Sequence, residues 1–409
     1  MKKKMLSLGL AVAMTVSLTA CGSGSSDETT AAAGETKATS SEAAGGEGSE
    51  AAGGEGGTLK IGGIGPITGE AAIYGQAVMN GAQIAVDEIN AAGGINGMNI
   101  EFRFEDDEND SEKSVNAYNT LKDWDMQILM GTVTSTPCIA VAANTFEDNM
   151  FQLTPSGSSV PCVEHPNAFR VCFSDPNQGA ASAEYIGKNG LAKKVAVIYD
   201  SSSVYSSGIY EKFAAGAEEN GIEIVSAEAF TADNNKDFSV QLQKAKDNGA
   251  ELVFLPIYYT EASLILSQAN SMGYKPLFFG CDGLDGLLTV PNFDTSLAEG
   301  VMLLTPFAAD AQDDLTKTFV GKYEEQFGGT PNQFAADAYD AMYAIKAAAE
   351  DAGITADMSA SDICDKMETS MTNITIDGLT GEGMTWTADG EPNKAPKAVK
   401  IVDGAYTAM

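Results

Sequence analysis

The sequence predicts an α/β protein of two lobes, each a doubly wound parallel sheet with helices on both faces. Three observations carry this. From residue 58 onward, short apolar runs of strand length alternate with amphipathic stretches of helix length, the pattern left by parallel strands joined through crossover helices. The alternation falls into two series, interrupted at Asp175-Pro176. The loops at the strand ends are rich in Gly, Ser, Thr and Tyr, and in open α/β sheets ligands bind beyond the carboxyl ends of the strands.

In the first series, Thr58 to Gly65 reads as a strand and Gly69 to Tyr74 as the loop after it. Gly75 to Ala92 places Val78, Ala82, Ala85, Val86 and Ile89 at helical spacing and closes on Gly93-Gly94. Asn99 to Phe104 is a strand, Ser111 to Trp124 a helix, Met126 to Met130 a strand, Pro137 to Glu147 a helix and Met150 to Leu153 a strand. Phe169 to Phe173 adds a short strand that Asp175-Pro176 breaks. In the second series, strands at Lys194 to Tyr199, Ile222 to Ala227, Leu252 to Leu255 and Leu277 to Phe279 alternate with helices at Ser207 to Asn220, Phe238 to Asn248 and Glu261 to Met272. Two long helices follow, Leu315 to Phe327 and Gln333 to Ala352.

The front end stands apart. Lys2, Lys3 and Lys4 precede an apolar run from Leu6 to Leu18, so residues 1–20 read as a bacterial signal peptide. Leu18-Thr19-Ala20-Cys21 resembles a lipobox, which implies that Cys21 is lipidated and becomes the first mature residue. Residues 22–57 are almost wholly Gly, Ala, Ser, Thr and Glu; together with Cys21 they read as a lipidated start and a flexible acidic linker that can bury no core. The apolar run is short for a membrane span, so the expectation is a chain anchored on the extracytoplasmic face of the cell membrane by its lipid.

Composition excludes several functions. The formal net charge of -33 leaves no basic surface to neutralise phosphates, so nucleic-acid binding is not expected. The single histidine, His165, sits in a Glu-His-Pro-Asn loop, and Ser-His-Asp, Cys-His or multi-histidine metal chemistry would all have to run through it. No Cys-x-x-Cys pair or phosphate-binding glycine motif occurs. No enzyme, cofactor or metal is expected. Apart from Cys21 the cysteines are Cys138, Cys162, Cys172, Cys281 and Cys364; an exported chain of this kind is expected to form one or two disulfides, with Cys138, Cys162 and Cys172 as the candidates.

Two loops point to an anion. Leu153-Thr-Pro-Ser-Gly-Ser-Ser-Val160 runs from a strand end into a turn at Gly157, with hydroxyls on Ser156, Ser158 and Ser159. About twenty residues earlier, Gly131 ends a strand and Thr132, Thr134, Ser135 and Thr136 lead to Pro137, which suits the first position of a helix capped by Thr136 or Ser135. Either loop alone reads as a turn. Together, with a helix N-terminus in one of them, they can hold a carboxylate without any basic residue. Further strand-end loops bring Tyr74, Tyr205, Tyr258, Tyr259, Asp282 and Asp285 into consideration.

Gly65-Pro-Ile-Thr-Gly69, Tyr74-Gly75, Asn90-Ala-Ala-Gly-Gly-Ile-Asn-Gly97, Leu153-Thr-Pro155, Asp175-Pro-Asn-Gln-Gly179 and Asp237-Phe-Ser239 occur in the order in which they stand in the Leu/Ile/Val-binding proteins. The sequence resembles that family, the type I periplasmic solute-binding proteins of branched-chain amino-acid ABC transporters, from Thr58 to near its C-terminus. The resemblance implies two lobes joined by a three-strand hinge, with residues 58–174 plus 305–378 in one and 175–304 plus 379–409 in the other. It implies carboxylate binding by Ser135 and Ser158 with the backbone around Ser156 and Gly157, and a lobe 1 aromatic, Tyr74, beside the ligand side chain. Tyr205 and Tyr258 would cover the ligand from lobe 2, and Asp282 would pair with its ammonium. The implied function is a monomeric lipoprotein receptor that binds a branched-chain or other aliphatic amino acid and delivers it to permease subunits. The alternatives are a sensory receptor domain, a binder of a related amide or carboxylic acid, and an exported enzyme.

Overall fold

The structure, a computed structural model, describes residues 56–409. The signal peptide, Cys21 and nearly all of the linker expected from the sequence lie outside the described residues. The first sheet forms from β1 (Thr58–Gly65), α1 (Ala72–Ala91), β2 (Asn99–Asp106), α2 (Ser111–Asp123), β3 (Ile128–Gly131), α3 (Ser135–Asp148), β4 (Gln152–Thr154) and β5 (Ala168–Arg170). Its five strands lie in the order β2-β1-β3-β4-β5 and all pair in parallel. β3 and β4 are buried along their whole length, as strands covered on both faces must be.

The chain then crosses to a second sheet through α4 (Asp175–Lys188), β6 (Lys194–Asp200), α5 (Val204–Ala217), β7 (Glu223–Phe230), α6 (Ser239–Asp247), β8 (Leu252–Leu255), α7 (Tyr259–Ser271), β9 (Leu277–Gly280) and β10 (Met302–Thr305). It returns to pack α8 (Asp314–Phe327), α9 (Gln333–Asp351) and α10 (Ala360–Met371) with the first sheet and its helices, then crosses again to β11 (Lys397–Val402) and β12 (Ala405–Ala408). The second sheet has the order β12-β11-β10-β9-β8-β6-β7. β11 and β12 form an antiparallel hairpin on its edge, and β11 pairs antiparallel to β10. With three passages between two sheets, this is the type I periplasmic binding fold.

α4 is a helix where the sequence suggests only a strand break. Pro176 falls in its first turn, where a missing N–H costs nothing because no intrahelical acceptor exists there. Gly179 and Gly187 weaken the apolar pattern, yet packing requires them: a Cβ at either would come within 2.3 Å of the carbonyl oxygen of Ile209 or Asn220. The expected disulfides are also corrected. Cys138, Cys162, Cys172, Cys281 and Cys364 are all free and buried. The Cys138 sulfur accepts the Gln152 amide at 3.5 Å and the Cys162 thiol donates to the Ser135 carbonyl at 3.6 Å, so they behave as small core side chains.

Candidate ligand-binding site

β3 ends at Gly131, and Thr134 rather than Ser135 or Thr136 is the residue before α3. Pro137 is therefore the third residue of the helix, still within the first turn where it is tolerated. The Ser135 hydroxyl accepts the Ser159 N–H at 3.2 Å, the Ser156 hydroxyl donates to the Val133 carbonyl at 2.6 Å, and Thr154 Oγ1 accepts the Gly157 N–H at 2.8 Å. The two loops paired in the sequence reading are thus stitched to each other in space. Gly157 is needed for room, since a Cβ there would lie 2.8 Å from Thr154 Oγ1 and 2.9 Å from the Cys138 sulfur.

What fixes the serine loop is Arg170, which the sequence reading overlooks. It is fully buried, and its guanidinium donates to the carbonyls of Gly157 at 3.1 Å, Ser158, Ser159 at 3.0 Å and Val160 at 3.4 Å. Glu391 balances the charge at 3.4 Å. The planar fork of Arg can serve several carbonyls at once, as Lys cannot. A lone cation between Phe169 and Val171 in a buried strand is the signal that could have found it.

The facing wall comes from the second sheet. Asp282 follows β9, and its carboxylate accepts the Tyr205 O–H at 2.6 Å, while its own N–H donates to Gln178 Oε1 at 3.2 Å. Tyr258 immediately precedes α7. Tyr74 lies in the first turn of α1 and not in a loop, and its O–H crosses to the Gly283 carbonyl at 2.6 Å. The Tyr74 ring stands 5.1 Å from Tyr258 and 4.3 Å from Phe334, and Tyr205 stands 5.1 Å from Tyr258.

Between the walls is a cavity of about 10 Å³, lined by Tyr74, Ser135, Ser156, Ser158, Tyr205, Tyr258 and Asp282 together with Val133, Thr134, Gly283 and Phe334. Seven of the eight residues named from the sequence therefore share one wall space; Gly157 stands behind it. No Lys or Arg lines the cavity. Burial pushes the Asp282 carboxyl up to about 6, against the pull of Tyr205, Gln178 and the Gly283 N–H. Asp175, beside it, is driven well above the usual carboxylate range by burial first, with the Asp282 charge adding to it and the Ser158 hydroxyl opposing. The cavity thus has a donor-rich side at the α3 N-terminus, an acidic side at Asp282, and aromatic rings between them. Among the described residues no group of three or more His, Cys, Asp or Glu is placed to hold a metal.

A small site thus lies between the two lobes, furnished with hydroxyls, aromatic rings and one acid. The chain belongs to the periplasmic binding protein family, whose model matches residues 58–405. It is 32% identical over 308 residues to Leu/Ile/Val-binding protein homolog 3 of Brucella melitensis, covering 74% of this chain and 81% of that one. It is 29% identical over 299 residues to the leucine-, isoleucine-, valine-, threonine- and alanine-binding protein of Pseudomonas aeruginosa, covering 72% and 79%. Among solved structures, the branched-chain amino acid transporter substrate binding protein LivJ of Streptococcus pneumoniae, in complex with isoleucine, is similar with a TM-score of 0.78 and 29% identity, over 86% of this chain and 98% of that one. These relatives are binding proteins and not enzymes.

Proposed function

We propose that this protein is a lipid-anchored extracytoplasmic receptor that captures an aliphatic amino acid between its lobes, 58–174 plus 305–378 and 175–304 plus 379–409, and hands it to the permease of an ABC importer. The observation that carries the reading is the charge layout of the cavity: hydroxyls of Ser135 and Ser158 and the N-terminus of α3 on one side, the Asp282 carboxyl on the other, and no basic residue. The layout matches a zwitterion, its carboxylate facing the donors and its ammonium facing Asp282, in a cavity that must widen from about 10 Å³ to admit it. Tyr74, Tyr258 and Phe334 line the cavity with aromatic surface for an apolar side chain. The names of the relatives point the same way. Micromolar binding corresponds to about -8 kcal/mol, and four or five charge-assisted hydrogen bonds at roughly 1.5 to 3 kcal/mol each reach this after closure costs.

A thermal-shift panel of the twenty amino acids with amides and small aromatic acids tests the ligand class, because a ligand that binds only the folded state raises the melting temperature. Leucine, isoleucine or valine should give the largest shift. A shift from benzoate alone would overturn the assignment.

Two further results are expected. An ammonium pairs with ionised Asp282, so affinity should fall as the acid is protonated. With the free carboxyl at about 6, the anion is roughly nine-tenths formed at pH 7 and one-tenth at pH 5, so affinity should drop about tenfold over that interval. A flat profile in calorimetric titrations would remove Asp282 from the contact. Cys21→Ser should release the protein from washed membranes without changing its affinity in solution, and retention of the variant would count against lipidation.

A further inference from the structure

We infer that Asp285 is a latch that holds the lobes shut, reaching from the second lobe to the N-terminus of α9 and so fixing Phe334 in the cavity wall. This rests on the reading of a cleft that closes on its ligand. Asp285 follows Asp282 by three residues in the loop after β9, and its Oδ2 accepts the N–H of Gln333, the first residue of α9, at 2.8 Å. α9 packs with α1 and the strands of the first sheet, so this hydrogen bond runs from one lobe to the other. The acid is only 4% exposed and its second oxygen has no partner. Burial pushes its carboxyl up to about 7, and only the N–H groups of Gln333 and Gly286 oppose this.

A buried acid without a cation costs free energy, and a helix N-terminus offsets part of it. The seat is then near balance, and other contacts decide whether it fills. α9 does not depend on Asp285 for its cap: Asn332 Oδ1 already accepts the Ala335 N–H at 3.2 Å, which leaves the Gln333 N–H for a partner outside the helix. The loop that presents Asp285 is clamped. Tyr406 of β12 accepts the Gly286 N–H at 3.1 Å and donates to the Leu284 carbonyl at 3.3 Å. Gly286 has φ +123, and a Cβ there would stand 3.0 Å from Ile73 of α1. One short loop therefore carries Asp282 into the cavity and Asp285 onto the other lobe. An orientation that sets Asp282 on a bound ammonium also seats Asp285, and Phe334, next to Gln333, is held against Tyr74. Ligand binding then selects the latched state.

The test is stopped-flow binding of leucine to the mature chain carrying Asp285→Asn, which keeps the shape, or Asp285→Ala. Dissociation should be about tenfold faster in Asp285→Ala and less so in Asp285→Asn, whose amide oxygen can still accept the Gln333 N–H, with association within about twofold of the parent in both, since a latch acts after encounter. Asn332→Ala, which trims the same helix end from within, should lower the melting temperature and leave dissociation within about twofold. Dissociation unchanged in both Asp285 variants would overturn the latch. Leucine failing to bind the parent would sink the ligand assignment, and amide exchange in the ligand-free protein would then decide the latch alone. With the seat near balance, Gln333 exchange about twofold faster in Asp285→Ala than in the parent supports it, and equal exchange overturns it.

Discussion

Asp282→Asn is expected to weaken leucine binding by roughly a hundredfold, at 1.4 kcal/mol per decade, with little change in the melting temperature of the ligand-free protein. The carboxyl is 3% exposed, so an ammonium brought against it is removed from water and depends on it for charge. Leaving that ammonium unpaired should cost on the order of 3 kcal/mol. The ligand-free fold loses little, because Asn keeps an oxygen for the Tyr205 O–H, now at 2.6 Å, and sheds the cost of burying an ionisable group. Calorimetric titration measures the loss. Affinity within about threefold of the parent would mean that Asp282 meets no cation, and would favour an amide or a carboxylic acid as ligand.

Arg170→Met is expected to remove on the order of 3 kcal/mol of folding stability and to weaken ligand binding as well. Met fills part of the volume but offers no donor to the carbonyls of Gly157, Ser158, Ser159 and Val160. Glu391 also loses its partner, and the Trp386 indole, which donates to the Arg170 carbonyl at 2.7 Å, is left against a loosened strand. Arg170→Lys keeps the charge without the fork and should fall between the two. Urea melts of ligand-free protein report the loss, and a change under about 0.5 kcal/mol would show that the loop holds its shape without the guanidinium.

How far the sequence is legible follows from where each signal resides. The βα alternation is local, and the strands from β1 to β9 and most helices fall within a few residues of their expected positions. α1 begins before the expected Gly75, and with no side-chain cap on Ala71 no capping residue announces the turn that carries Tyr74. α4 hides behind Pro176 and two packing glycines. α10 is missed although Ile363, Met367 and Met371 are buried at helical spacing, and β11 and β12 stand outside the βα alternation as an antiparallel edge hairpin. The hydroxyl loops and Asp282 can be placed because they sit at strand ends. Arg170 carries a local signal, a lone cation in a buried strand, whereas Phe334 and Gln178 reach the site only through the passages between sheets, which no local pattern encodes. The disulfide expectation fails for a different reason: it is a rule about compartments, and packing placed these thiols in the core.

The most direct test of the account is a paired calorimetric titration of the mature protein near pH 7 with leucine and with isocaproate, its des-amino analogue. The two share a carboxylate and an apolar side chain and differ in the ammonium proposed to meet Asp282. Leucine should bind at micromolar concentration and isocaproate about a hundredfold more weakly or not at all. Isocaproate binding as tightly as leucine would contradict a zwitterion held between the serine loop and Asp282.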